Sequence, residues 1–170
     1  MSWIKMSAPG EAEGELQDIY ARIGGQVDNV LRIHSLRPHT LSGHMALYKS
    51  VLHHRRNTLP RRLLEAVGVH VSYLNGCDYC VRHHLQGLRK LVDDPAHFES
   101  VAAALQCDDP GEPLEQAERV VLAYARRLTL EPQDVDRADI EVLRRHGYGD
   151  GEILEVNQVA AYFAYANRTV

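Results

Sequence analysis

Residues 65–84 read Glu65-Ala66-Val67-Gly68-Val69-His70-Val71-Ser72-Tyr73-Leu74-Asn75-Gly76-Cys77-Asp78-Tyr79-Cys80-Val81-Arg82-His83-His84. Asn75-Gly76 is a helix stop, so the stretch divides into two helices. Pro60 suits the first position of the earlier one, and Leu63, Val67, Val71 and Leu74 run down one of its faces. The later helix begins around Cys77 and continues through Leu85, Leu88 and Leu91-Val92 to Asp93-Asp94-Pro95. A helical hairpin over about residues 60–93, with both cysteines on the first turn of its second arm, is the expected core of the fold.

The same period extends outward in both directions. Residues 11–23 form a helix stopped at Gly24-Gly25. Asp28 caps a short one through His34, ended by Arg37-Pro38. Thr40 or Ser42 caps a longer one carrying Leu41, Met45, Tyr48, Val51 and Leu52. Beyond the hairpin come an alanine-rich helix near 96–106 and the turn Cys107-Asp108-Asp109-Pro110-Gly111. A strongly periodic segment follows over 113–129, with Leu114, Ala117, Val120, Val121, Tyr124 and Leu128 on one face. Asp134 or Asp136 caps 137–146, which Gly147 stops. Asp150 caps the last helix, with Ile153, Val156, Ala160 and Phe163 inward. No two-residue alternation bounded by hairpin turns interrupts the series. The expectation is an all-α bundle of roughly seven or eight helices, a single domain over 1–170 with 1–10 flexible.

The 170 residues are 45% apolar and 25% charged, an ordinary globular composition. A chain of this length buries about two-thirds of the surface its unfolded form exposes, so it needs no covalent staple. The formal charge of −4 argues against non-specific binding to nucleic acid or to an acidic membrane. No apolar run approaches the ~18 residues of a membrane span, and the first fifteen residues resemble neither a signal nor a transit segment. We expect a cytoplasmic protein with no nucleic-acid or membrane partner.

Three cysteines are too few, and of the wrong parity, for a disulfide framework. Cys77 and Cys80 form a Cys-x-x-Cys, which in a reducing compartment means redox chemistry or a metal. At a helix start, free N–H groups and the positive end of the dipole favour a thiolate. A free cysteine, with a pKa of about 8.5, needs such help to react at neutral pH. Cys77, Cys80 and His84 are spaced i, i+3, i+7 and share one helix face. His84, one turn beyond Cys80, can take its proton or hold the thiolate as an ion pair. Glu65, on the preceding helix, reaches His84 if that helix folds back antiparallel, and would then orient the imidazole.

Each of these residues also has an ordinary reading. Glu65 alone is a solvated helix residue and His84 alone a surface or half-buried histidine; their joint placement is what carries weight. Zinc would need two more ligands beside the cysteines, with His70, His83 and His84 as candidates. No second Cys-x-x-Cys and no spaced His pair completes such a set. Adjacent histidines on a helix point about 100° apart and rarely share one ion.

Glu-x11-Cys-x-x-Cys-x3-His resembles the signature of the alkylhydroperoxidase AhpD family, within the carboxymuconolactone decarboxylase-like superfamily. Glu65, Cys77, Cys80 and His84 fall on it without a gap. Asn29-Val30-Leu31-Arg32-Ile33-His34-Ser35-Leu36-Arg37-Pro38, the Asn75-Gly76-Cys77 turn, Ala161-Tyr162-Phe163 and Asn167-Arg168 resemble its branch of peroxidase-related enzymes. The resemblance covers the chain from about residue 26 onward. It implies an AhpD-like helical fold, a homo-oligomer (dimer, trimer or hexamer) and thiol-dependent peroxidase activity without a cofactor. Cys80 would attack the hydroperoxide and become a sulfenic acid, which Cys77 resolves as a disulfide. Glu65 and His84 would form the proton relay. An external dithiol or a redox-partner protein would reduce the pair again. A first cysteine is usually the more exposed of such a pair, which favours Cys77 as nucleophile; the histidine spacing favours Cys80, and we follow the histidine. Asp78 and Tyr79 stand between the cysteines where some family members carry a histidine. Asp78 either raises the thiol pKa by its charge or sits favourably at the helix N-terminus. The alternatives are a thiol–disulfide oxidoreductase or redox sensor with little peroxide turnover, and a non-enzymatic zinc-binding helical protein.

Outside the motif, Cys107 reads as incidental and His53-His54-Arg55-Arg56 as a solvated helix end. Tyr162, Phe163 and Tyr165 read as core and subunit interface. His44 and Tyr48, on the helix before the hairpin, could line a pocket, with core packing the preferred reading. No nucleotide fingerprint is present.

Overall fold

The computed structural model describes residues 2–170. Among these, nine α-helices and no strand are found: α1 Gly14–Ile23, α2 Asn29–Arg32, α3 Pro38–His53, α4 Arg61–Leu74, α5 Asp78–Arg89, α6 Pro95–Leu105, α7 Gln116–Leu130, α8 Arg137–Arg145 and α9 Asp150–Thr169. Two short 3-10 turns, Pro9–Glu11 and Pro132–Asp134, complete the order. The all-α expectation holds, with the single-turn α2 as the marginal member of the count. No helix among the described residues is long and apolar enough to cross a membrane.

Helix α4 is the axis of the molecule, packed against α3, α5, α6, α7 and α9. All ten residues from Leu63 to Ser72 are buried. The expected single apolar stripe is therefore a helix enclosed all round, and its three polar residues need internal partners. Glu65 bonds His84. His70 donates from Nδ1 to the Leu105 carbonyl at 3.1 Å. The Ser72 hydroxyl accepts from Asn167 Nδ2 at 3.0 Å, while Asn75 Nδ2 donates to Asn167 Oδ1 at 3.0 Å. Asn167 thus ties α9 to the end of α4.

Gly68 explains how α9 approaches so closely. A Cβ there would stand 2.3 Å from Cζ of Phe163. A glycine inside a helix costs about 1 kcal/mol relative to alanine, and the Phe163 ring occupies the space it leaves. A second, smaller core of Leu16, Ile19, Tyr20, Val27 and Leu41 joins α1 to α3.

The turn after α4 has the expected stop. Gly76 sits at φ 69°. Cys77 N–H donates to the Ser72 carbonyl and Gly76 N–H to that of Tyr73, both at 2.9 Å. These two bonds are the Schellman closure of a helix, and they hand the chain directly to α5.

Several boundaries differ from expectation for definable reasons. Pro38 opens α3 instead of ending the helix before it, because its missing N–H is no loss at a first position. Thr40 does not cap; its hydroxyl donates to the Arg37 carbonyl at 2.8 Å. Pro60 lies one residue outside α4 and accepts Leu63 and Leu64 N–H on its carbonyl. Asp28 receives the first bonds of α2 on its carbonyl, while its side chain makes no cap. Asp150 is the first residue of α9, and the Gly149 N–H ahead of it is held by Glu152 at 2.8 Å. The buried face of α7 is shifted by a residue, with Leu122 and Ala125 inside and Glu118 bound by Arg62.

Candidate active site

Cys77 is the N-cap of α5, and its Sγ accepts from Cys80 N–H at 3.3 Å. The two cysteines are joined as a disulfide with Cα atoms 5.3 Å apart. The pair thus occupies the N-terminal end of α5, as the sequence predicts, and Cys77 Sγ takes up one of the N–H groups of its first turn. Cys80 is buried at 5% exposure, whereas Cys77 is half-buried. The two also face different ways. Cys80 lines a cavity of about 130 Å³ together with His83 and His84 of α5, His44 and Tyr48 of α3, and Tyr162 and Phe163 of α9. Cys77 lies on a separate open depression with Ile4, Met6, Ile33 and Arg82.

His84 is one turn beyond Cys80 and buried. Its Nδ1 lies 2.9 Å from Oε2 of Glu65. A carboxylate only accepts, so Nδ1 carries the hydrogen and the Nε2 lone pair is left to receive a proton. Glu65 is 2% exposed, so the reading of it as a solvated residue does not hold. Helices α4 and α5 fold back on one another as the hairpin requires, and bring Glu65 onto His84 beside Cys80, with Cys77 bonded to Cys80 but opening on another side. Arg61, one turn before Glu65, sets its guanidinium 3.7 Å from Oε1 and supplies positive charge to that carboxylate. The i, i+4 spacing of Arg61 and Glu65 was readable in the sequence but was not singled out. Gly87 also belongs to the site, because a Cβ on it would come 3.2 Å from Glu65 Oε2. The Phe163 ring stands edge-on to His84, centroids 4.5 Å apart, and fixes the plane of the imidazole.

His44 and Tyr48 are packed into the core and also form a wall of the Cys80 cavity, the second of the two readings the sequence allows. Burial, with His34 beside it, pushes the His44 imidazole down to about 4. Burial also holds the Tyr48 phenol up at about 12. His34 behind His44 is fixed as one tautomer: Nδ1 donates to the Val30 carbonyl at 2.9 Å, and Nε2 accepts from the Tyr165 hydroxyl at 3.0 Å. His83 is pushed down by burial and by His84. Cys107 is free and exposed, far from the motif in sequence. Among the described residues no three His, Cys, Asp or Glu side chains converge as a metal-ion site.

A model of the carboxymuconolactone decarboxylase family matches residues 38–108. An uncharacterized peroxidase-related protein from Silicibacter sp. TM1040 is 30% identical. The match covers 89% of this chain and 76% of that one, with a TM-score of 0.76. The chain belongs to the carboxymuconolactone decarboxylase family, together with this peroxidase-related protein. An alkylhydroperoxidase AhpD core structure, an uncharacterized peroxidase-related protein from Ralstonia eutropha JMP134, shares the fold at 23% identity. It covers 97% and 86% of the two chains, with a TM-score of 0.82. The debrominase Bmp8 shares it at 18% identity, over 99% and 88%, with a TM-score of 0.76. No curated protein matches the chain.

Proposed function

We propose that this protein is a thiol-dependent peroxidase, working in the cytoplasm through the Cys77–Cys80 dithiol/disulfide pair. The observation that carries the reading is the buried Glu65–His84 bond beside the Cys80 cavity. In the reduced protein, His84 Nε2 takes the Cys80 thiol proton, and Glu65 stabilises the imidazolium that results. The Cys80 thiolate attacks the terminal oxygen of a hydroperoxide. The O–O bond breaks, the sulfur is oxidised to a sulfenic acid, and the alkoxide leaves with the proton held on His84. The Cys77 thiol then gives up its proton as its sulfur attacks the Cys80 sulfur, the disulfide forms, and the sulfenic hydroxyl leaves with that proton as water. An external dithiol or a redox-partner protein returns two electrons and two protons to the pair. The half-exposed Cys77 is the sulfur within reach of such a partner. We place the working protein in a homo-oligomer.

The test is a steady-state assay with an organic hydroperoxide and dihydrolipoamide as reductant. Turnover lost in both Cys80→Ser and Cys77→Ser supports the reading, and turnover unaffected by Cys80→Ser sinks it. A second reading, a thiol–disulfide oxidoreductase, draws on the open position of Cys77. It is preferred if a small disulfide oxidises the reduced pair faster than hydroperoxide does.

A further inference from the structure

We propose that the cavity beside Cys80 binds a neutral organic molecule of single-ring size carrying a hydroxyl or hydroperoxyl group, and that His44 is the residue that orients it. The proposal takes its chemistry from the peroxidase reading, but its binding claim stands separately.

Size is the first argument. The cavity measures about 130 Å³. An engineered cavity of ~150 Å³ accepts benzene. One ring, or a branched alkyl group of similar bulk, therefore fills the space between Tyr48, Tyr162 and Phe163.

Charge is the second. Neither Lys nor Arg lines the cavity, and its carboxylate, Asp28, is half-buried and within reach of water. His44 stays neutral at pH 7 because burial and His34 disfavour its charged form. The Tyr48 phenol keeps its proton. An anionic headgroup would lose its hydration and find no Lys or Arg there, and the one imidazole charged in the reduced protein, His84, is already paired with Glu65.

His44 supplies direction. It is 4% exposed, its Nδ1 has no hydrogen-bond partner, and its ring lies against those of His34 and Tyr162. With Nδ1 closed off, Nε2 is the nitrogen left for a ligand. A neutral imidazole nitrogen meets a group that both donates and accepts, which is what a hydroxyl or hydroperoxyl is. Such a group would lie in the cavity that Cys80 and His84 also line.

The experiment uses phenol, benzoate and benzylamine as probes of equal ring size at pH 7. Binding to the full-length protein is read by calorimetry. Protection of Cys80 in the reduced protein is read by mass mapping of iodoacetamide alkylation, with Cys107 as the internal control. Phenol is expected to bind at least tenfold more tightly than either charged probe and to slow alkylation at Cys80 but not at Cys107. His44→Phe is expected to weaken phenol about fivefold, as loss of one hydrogen bond does. His44→Gln, which keeps a polar group, is expected to recover part of it. Benzoate or benzylamine binding as tightly as phenol overturns the proposal, as does phenol leaving Cys80 alkylation unchanged. Equal loss in His44→Phe and His44→Gln removes the assigned role of His44. If phenol binds but hydroperoxide leaves the cysteines reduced, the cavity assignment survives and the peroxidase reading falls. If hydroperoxide oxidises the pair and phenol does not bind, the reverse holds.

Discussion

The Glu65 carboxylate reaches from α4 to Nδ1 of His84 on α5, 2.9 Å away, with both side chains withdrawn from solvent. This geometry fixes the histidine tautomer and aims its basic nitrogen away from Glu65. Glu65→Gln keeps the volume but removes the charge that stabilises the imidazolium. Oxidation of the reduced pair by hydroperoxide is expected to slow by about 10²-fold or more, the usual scale of a positioned acid–base group. Stopped-flow measurement of thiol loss at pH 7 checks this.

Gly87 makes a separate prediction about the same bond. Its missing side chain leaves room for the Glu65 carboxylate, which a Cβ would approach to 3.2 Å. Gly87→Ala should leave the urea midpoint unchanged or slightly raised, since alanine is the better helix former. The rate of thiol oxidation should nonetheless fall, because Glu65 must shift. A variant with both values unaltered would remove Gly87 from the site.

Gly68→Ala should behave in the opposite manner. The new Cβ would stand 2.3 Å from the Phe163 ring in the densest part of the core. Overpacking costs about 1–3 kcal/mol and improved helix propensity returns about 1, so a net loss of up to about 2 kcal/mol is expected in urea denaturation.

Asn167→Ala tests the tie between α9 and α4. It leaves the buried Ser72 hydroxyl without its donor and frees the Asn75 amide. An orphaned buried polar group costs about 1–3 kcal/mol. Equilibrium unfolding at pH 7 measures it.

Stability should also fall with acid. His44, His34 and His70 are all held below the ordinary histidine value, first of all by burial. Their unfolded forms bind protons at higher pH than the folded ones do. The stabilisation is therefore complete above the ordinary value of 6.5 and is lost as pH falls toward about 4, where His44 protonates in the fold. Thermal melts from pH 7 to 4 should show Tm dropping through that window, less steeply in His44→Phe.

The helical hairpin and its cluster were legible because they rest on local arithmetic. An i, i+3, i+7 spacing places side chains on one face whatever surrounds the helix, and Asn75-Gly76 marks the turn by backbone preference alone. The glycines were not legible. Gly68 and Gly87 carry no signal of their own inside two helices, and only the arrival of Phe163 and Glu65 beside them gives each its reason. The choice between core and pocket for His44 and Tyr48 was not legible for a related reason, and they turn out to be both packed and cavity-lining. Which part of α3 meets open space depends on how α5 and α9 dock, and Tyr162 lies more than a hundred residues further along the chain. Pro38 was ambiguous because the same ring that ends one helix can begin the next.

The most direct test is to count free thiols in the fully reduced protein before and after one equivalent of an organic hydroperoxide, with peptide mass mapping of the product. The account predicts rapid loss of two thiols, one Cys77–Cys80 disulfide, and an untouched Cys107. Thiols that persist while the peroxide remains, or oxidation that falls on Cys107 instead, would contradict it.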